Sequence, residues 1–241
     1  FRTFTQTDFT VKAVNIKKSV WYPKPMPTAG NVRDTLFKRL FTTSGLMLGI
    51  AKPDSPYVYG WIKISRGYNA MKFLPQTGAA RPFDLRGNRY FLKELRNPSP
   101  RTYNNHLAGE LLALKLNIYA SDLGITAGGL GELVFQDASN NVFNGRTIRS
   151  IINYTDSALT KWRIYIKLNH YLLLDTVLTK INSAFAGPID SISTSPLKLT
   201  NVRGVFSVPF LKLSTTSSQV IPMLSQSYDE QEPEDYTLFQ N

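Results

Sequence analysis

Apolar residues recur at helical spacing in three successive stretches of the chain, with β-prone runs on either side. Leu107, Leu111, Leu114 and Ile118 share one face of a helix that Asn104 or Asn105 opens and Gly124 closes. Ile148, Ile151, Ile152, Thr155 and Leu159 form the inward face of a second, from Arg146 to about Trp162, with the Asn144-Gly145 turn in front of it. Leu174, Leu178, Ile181 and Phe185 keep register in a third, from about Asn169 to Phe185, which Gly187-Pro188 ends. Three consecutive amphipathic helices bury their faces against one another, so a helical subdomain is predicted over about residues 104–187.

Outside it the period shortens. Phe4 to Val20 alternates β-prone and polar residues and reads as one or two strands. Pro23, Pro25 and Pro27 then forbid regular structure, and Asn31 or Asp34 caps a short helix carrying Val32, Leu36, Phe37 and Leu40. Leu46 to Ile50 and Tyr57 to Ile64 flank a Pro-rich turn, a hairpin signal. Pro75 to Asn105 reads as a long, basic, mostly irregular crossing. Beyond Ile192 the spacing of Leu197, Leu199, Val202, Val205, Val208 and Leu211 returns to strand, then fades into a Ser/Thr-rich run from Ser214. Strands, helices, strands in that order predict an α+β fold: a small antiparallel sheet from both ends of the chain with a three-helix subdomain inserted. One domain is expected over residues 1–213, and a linker over 214–241.

Composition narrows the function classes. A 241-residue chain with 42% apolar residues builds its own core. It has no cysteine, which removes disulfides, thiolate metal sites and thiol nucleophiles together. No run of 18 apolar residues predicts a transmembrane helix, and Phe1 in place of Met points to a processed start. The net charge is +11, but residues 229–241 hold five acidic residues and no Lys or Arg, leaving 28 basic against 12 acidic in the body, a net +16. Such a surface draws polyanions: acidic polysaccharide, lipopolysaccharide or an acidic neighbouring subunit, with nucleic acid the least favoured.

The ending Tyr236-Thr-Leu238-Phe-Gln240-Asn241 resembles the opening of the C-terminal sorting domain of Bacteroidetes-type (type IX) secretion, without its YPNPFNP segment. Phe1–Gln6, Phe73–Gly78, Leu107–Asn117 and Leu130–Val134 are similar to blocks in a group of exported proteins of that kind, which carry no known activity. The resemblance implies an extracellular or cell-surface protein and leaves its mechanism open.

Candidate chemistry is sparse. His106 and His170 are the only imidazoles; helix-surface or capping roles are expected, and no metal or cofactor is called for. No Gly-x-Ser-x-Gly elbow is present. Gly128, Gly129 and Gly131 follow a helix and precede a strand, the wrong order for a phosphate loop. A glycosidase pair could come from Asp84, Glu94, Glu110 and Glu132. Tyr57, Tyr59 and Trp61 alternate with Lys63 beside them, either a sugar-stacking platform backed by Arg81, Arg86 and Arg89 or the core face of a sheet. Of four Asp-Ser/Thr-apolar segments resembling O-glycosylation sites, Ser191 alone lies outside a predicted helix and is kept as an acceptor. Gly109 inside a helix implies close approach of a neighbouring element. Together these features predict a non-catalytic structural or adhesive protein, self-associating into a filament, layer or matrix, with a polysaccharide-binding module as the alternative. Donation of Phe1–Val20 to a neighbour's sheet edge is the sharpest form of the first.

Overall fold

The structure, a computed structural model, describes residues 1–11, 31–51, 60–162, 167–187 and 204–214. Its helices are α1 (Val32–Arg39), α2 (Gly67–Phe73), α3 (His106–Asp122), α4 (Ile148–Thr160) and α5 (Leu168–Ala184). The strands are β1 (Leu46–Leu48), β2 (Trp61–Ile64), β3 (Leu85–Arg86), β4 (Arg89–Tyr90), β5 (Glu94–Arg96), β6 (Val134–Phe135) and β7 (Leu211–Lys212). The fold is α+β. Among the described residues no helix is long and apolar enough to cross a membrane.

Local chemistry sets the helix ends. The Asn31 side chain accepts from Arg33 N–H at 3.1 Å and opens α1, and Thr147 accepts from Ser150 N–H at 3.1 Å to open α4. Gly124, at φ +66°, takes the left-handed turn that stops α3. The three expected helices are present, but α3 is not amphipathic: 14 of its 17 residues are buried. Other elements cover the face that the sequence leaves polar. Lys115 is met there by Asp156 of α4, and Glu110 and Asn117 by the N-terminal segment.

That segment corrects the strand expected from Phe4. Residues 1–5 join no strand among the described residues, and Asp8–Thr10 is a 3-10 turn closed by Asp8, whose carboxylate accepts from Thr5 N–H at 2.7 Å and Thr5 Oγ1 at 2.9 Å. The Asn117 amide acts as a surrogate strand, accepting from Phe4 N–H at 2.9 Å and donating to Phe4 O at 2.8 Å. Phe4 and Phe9 enter the core at 1% exposure. Gln6 then crosses α3 at Gly109, where a Cβ would stand 2.1 Å from its Oε1. Gln6 donates to Glu110 at 2.7 Å and accepts from Gln76 N–H at 2.9 Å. The close approach expected at Gly109 is therefore made by side chains of Gln6 and Gln76. Three of the four blocks singled out in the sequence meet at this one clamp. Residues 12–20 lie outside the described residues.

The sheet also departs from expectation. Its order is β1-β2-β5, with β2 antiparallel to β1 (Leu48↔Ile62) but parallel to β5 (Trp61↔Glu94, Lys63↔Arg96). It is a mixed sheet drawn from the first half of the chain, because the crossing from residue 65 to 93 carries α2 and returns β5 in the same direction as β2. Near the other end, β7 pairs with β6 in a separate ladder, after a 3-10 turn at Val205–Ser207. The rest of the expected C-terminal strand run, residues 192–203, lies outside the described residues. Leu46, Leu48, Ile62, Ile64 and Leu95 face the core, which leaves Trp61, Lys63, Glu94 and Arg96 on the outer face.

Candidate functional site

The crossing expected to be irregular builds a groove beside that outer face. β3 and β4 form a hairpin around Gly87-Asn88, with Gly87 at φ +59°, a conformation glycine adopts without strain. The chain then turns in at Phe91, whose O accepts from Gly60 N–H at 2.6 Å, and out again into β5. Phe91 packs on Phe83 and Tyr103 at 5.5 Å between ring centroids, a buried aromatic floor. Burial pushes the Tyr103 phenol up to about 12. Arg81 supports this floor from the side: it pairs with Asp84 at 2.7 Å, donates to Leu85 O at 2.9 Å, and lies 4.9 Å over the Tyr103 ring. It is a structural cation and does not line the groove.

Above the floor is a concavity of about 510 Å³ lined by Arg86, Arg89, Tyr90, Leu92, Lys93 and Glu94, among others. Tyr90 is 60% and Leu92 57% exposed, large apolar surfaces set among cations. Glu94 is engaged by Arg96 at 3.0 Å, whereas Arg86, Arg89 and Lys93 form no ion pair among the described residues. The stretch from Trp61 to Arg101 holds nine Lys and Arg against Asp84 and Glu94, +7 of the chain's +11. Positive potential is therefore concentrated here.

Of the residues singled out for binding, Arg86 and Arg89 line the groove. Trp61 and Lys63 are on the outer face beside it, with Trp61 opposite Glu94, so Trp61 does not face the core. The Trp61 Nε1–H is buried without an acceptor among the described residues. Tyr57 and Tyr59 lie outside the described residues, as do Ser191, Tyr236, Leu238, Gln240 and Asn241. Tyr90, Leu92, Lys93 and Arg96 were missed, although the charge density of the crossing was a signal for the two cations.

Neither histidine is a plain surface residue. His106 opens α3 and places Nδ1 2.8 and 2.9 Å from the two Asp175 carboxylate oxygens of α5, with Nε2 3.5 Å from Glu110. Glu110 also accepts from Asn182 at 2.7 Å, so the cluster ties α3, α5 and the N-terminal segment together. Sequence spacing hides this pair, since Asp175 is 69 residues away. Asp84, Glu94, Glu110 and Glu132 are each held by a partner of their own, Arg81, Arg96, the Gln6–Asn182 pair and Arg149. No group of three or more His, Asp or Glu among the described residues is arranged to hold a metal ion.

His170 packs against Phe143 and Tyr154, its Nε2 2.8 Å from the Tyr154 hydroxyl, and burial holds its pKa below the usual imidazole value. The neutral ring is thus favoured in the folded state, while the unfolded imidazole protonates near the ordinary value of about 6.5. The contribution is complete above that value and lost as pH falls through the lowered one. The thermal midpoint is expected to drop as pH falls below the ordinary imidazole value, and His170→Phe to flatten that slope; an unchanged slope would remove His170 as its source.

Comparison of the chain with protein-family models, curated proteins and solved structures found no match.

Proposed function

We propose that this is a non-catalytic adhesive protein of the cell exterior, which engages anionic polysaccharide, lipopolysaccharide included, through the groove beside β2 and β5. The observation that carries it is the set of three cations without ion pairs among the described residues, Arg86, Arg89 and Lys93, standing around exposed Tyr90 and Leu92. Cations pair with carboxylate or sulfate groups, and an exposed ring offers a stacking face to sugars. Location outside the cell is supported by the resemblance of Tyr236–Asn241 to a sorting boundary.

The test is retention on immobilised heparin, used as a model acidic polysaccharide, across a salt gradient. Arg86→Ala/Arg89→Ala is expected to weaken binding on the order of tenfold at low salt, at under 1 kcal/mol for each exposed charge. Retention that is unchanged in this variant would place the ligand elsewhere.

Self-association into a filament, layer or matrix is favoured by a different observation. The body at +16 and the tail at −5 are complementary between copies. Light scattering and negative-stain microscopy at low and moderate salt separate a polymer from a monomer.

A further inference from the structure

We infer that the groove takes the lipid end of lipopolysaccharide, a phosphate monoester on an acylated sugar. The phosphate sits between Arg86 and Arg89, and the acyl chain lies on Leu92 and the apolar face of the β3–β4 hairpin. The register of that hairpin carries the assignment. Arg86 stands directly opposite Arg89, and Leu85 directly opposite Tyr90, so the two guanidinium side chains leave from one face and the two apolar ones from the other. The turn between the strands is two residues long, with Gly87 at φ +59° as its first, and Phe91 N–H fixes the hairpin's base by donating to Asp84 O at 2.9 Å. Residues opposite one another in such a pair have Cβ atoms about 5 Å apart, and like charges placed there repel. A phosphate monoester, close to doubly charged near neutral pH, offsets both guanidinium groups at once and accepts paired hydrogen bonds from their forks; a uronic acid carboxylate brings a single charge. Glu94 on the rim is engaged by Arg96 at 3.0 Å, and Lys93 adds a third positive charge to the lining.

The apolar side of the site separates an amphiphile from a bare glycan. Leu92 is 57%, Tyr90 60% and Leu85 37% exposed. A sugar ring stacks on Tyr90 but gains little from Leu85 and Leu92, whose surface an acyl chain removes from water. Large apolar side chains rimmed by Arg and Lys suit a surface that lies on an anionic membrane, the apolar groups entering the acyl boundary and the cations meeting headgroups. The concavity of about 510 Å³ is in the range of small-molecule sites, room that a headgroup sugar fills and a flat phospholipid surface does not. The inference rests on the reading of this groove as an anion site and adds the acyl contact to it.

Flotation of the full chain with phosphatidylcholine vesicles tests it. The vesicles carry diphosphorylated lipid A (the acylated disaccharide of lipopolysaccharide), its dephosphorylated form, or phosphatidylglycerol. Binding is expected with lipid A, and is expected to fall about tenfold without the phosphates and in Arg86→Ala/Arg89→Ala, the scale set by two cations at an anionic surface. Leu92→Ser should weaken it about fivefold through the lost acyl contact. Lys38→Ala/Arg39→Ala, which removes the same charge from the exposed end of α1, is expected to bind as the native chain does. Equal binding to phosphatidylglycerol vesicles, indifference to Leu92→Ser, or an equal loss in the α1 variant would overturn the inference. Heparin retention without lipid A binding sinks this inference alone. Lipid A binding that depends on Arg86 and Arg89, in a chain that heparin does not retain, sinks only the acidic-polysaccharide part of the function proposed above.

Discussion

Asp156→Ala is expected to lower unfolding stability by about 3 kcal/mol, because it strands the Lys115 ammonium inside the fold. The pair is short, 2.6 Å, and its side chains are only 11% and 14% exposed. Asp156 also accepts from Gly49 N–H at 2.7 Å, and Lys115 donates to Met47 O at 2.7 Å, so the two residues join α3 and α4 to the β1 strand and the turn after it. Burial pushes the Asp156 carboxyl up, a sign that its ionised form is not at ease there. The pair as a unit is therefore worth little. Lys115→Met/Asp156→Leu is expected to stay within about 1 kcal/mol of the native chain, although either single change is costly. The sign of the pH effect follows from the same shift. Asp156 favours the fold at low pH, and that advantage is lost as pH rises through its raised folded value. Urea unfolding of the two single variants and the double would decide it; a double variant as unstable as the singles would show that the ion pair itself supports the fold.

Phe4→Ala should cost about 3–5 kcal/mol, the range for emptying a buried aromatic site. Phe4 is 1% exposed, packs on Phe9 at 5.6 Å between centroids, and has both backbone groups held by Asn117. Phe1 stacks on Phe185 at 5.3 Å, and Thr3 N–H donates to Phe185 O at 3.3 Å. The segment is thus built into its own chain. Its deletion is expected to destabilise α3 and α5, where strand donation would leave the helices intact. Limited proteolysis with denaturant unfolding reads both effects. A variant that cleaves early near residue 4 with an unchanged unfolding midpoint would mean that the segment is a detachable arm after all.

The clamp and the groove show what local sequence carries and what it cannot. The helices were legible because their period and most of their end signals lie within a few residues of each other: Leu174, Leu178 and Ile181, or the Asn144-Gly145 turn ahead of Ile148. Gly109 was legible as a point of close approach, since a glycine inside a helix implies crowding, but the element that crowds it was not. The N-terminal segment was misread as strand because its alternation fits any extended chain, and its hydrogen-bond partner is an amide 113 residues away. The β2–β5 pairing was missed for a related reason: two or three residues hold too short a pattern, and a parallel partner is set by the crossing between them.

By itself, the sequence determined the three-helix run, the short helix after the Pro23–Pro27 stretch, the concentration of positive charge in the crossing and the lack of cysteine chemistry. These follow from residue type and local spacing. Only the tertiary structure decided that α3 is buried on all sides, that His106 faces Asp175, and that Arg81 braces a floor while Arg86 and Arg89 line a groove with Lys93 and Tyr90. Burial and ion pairing depend on what other segments bring to the same place, and that information is held in contacts between residues far apart in the chain.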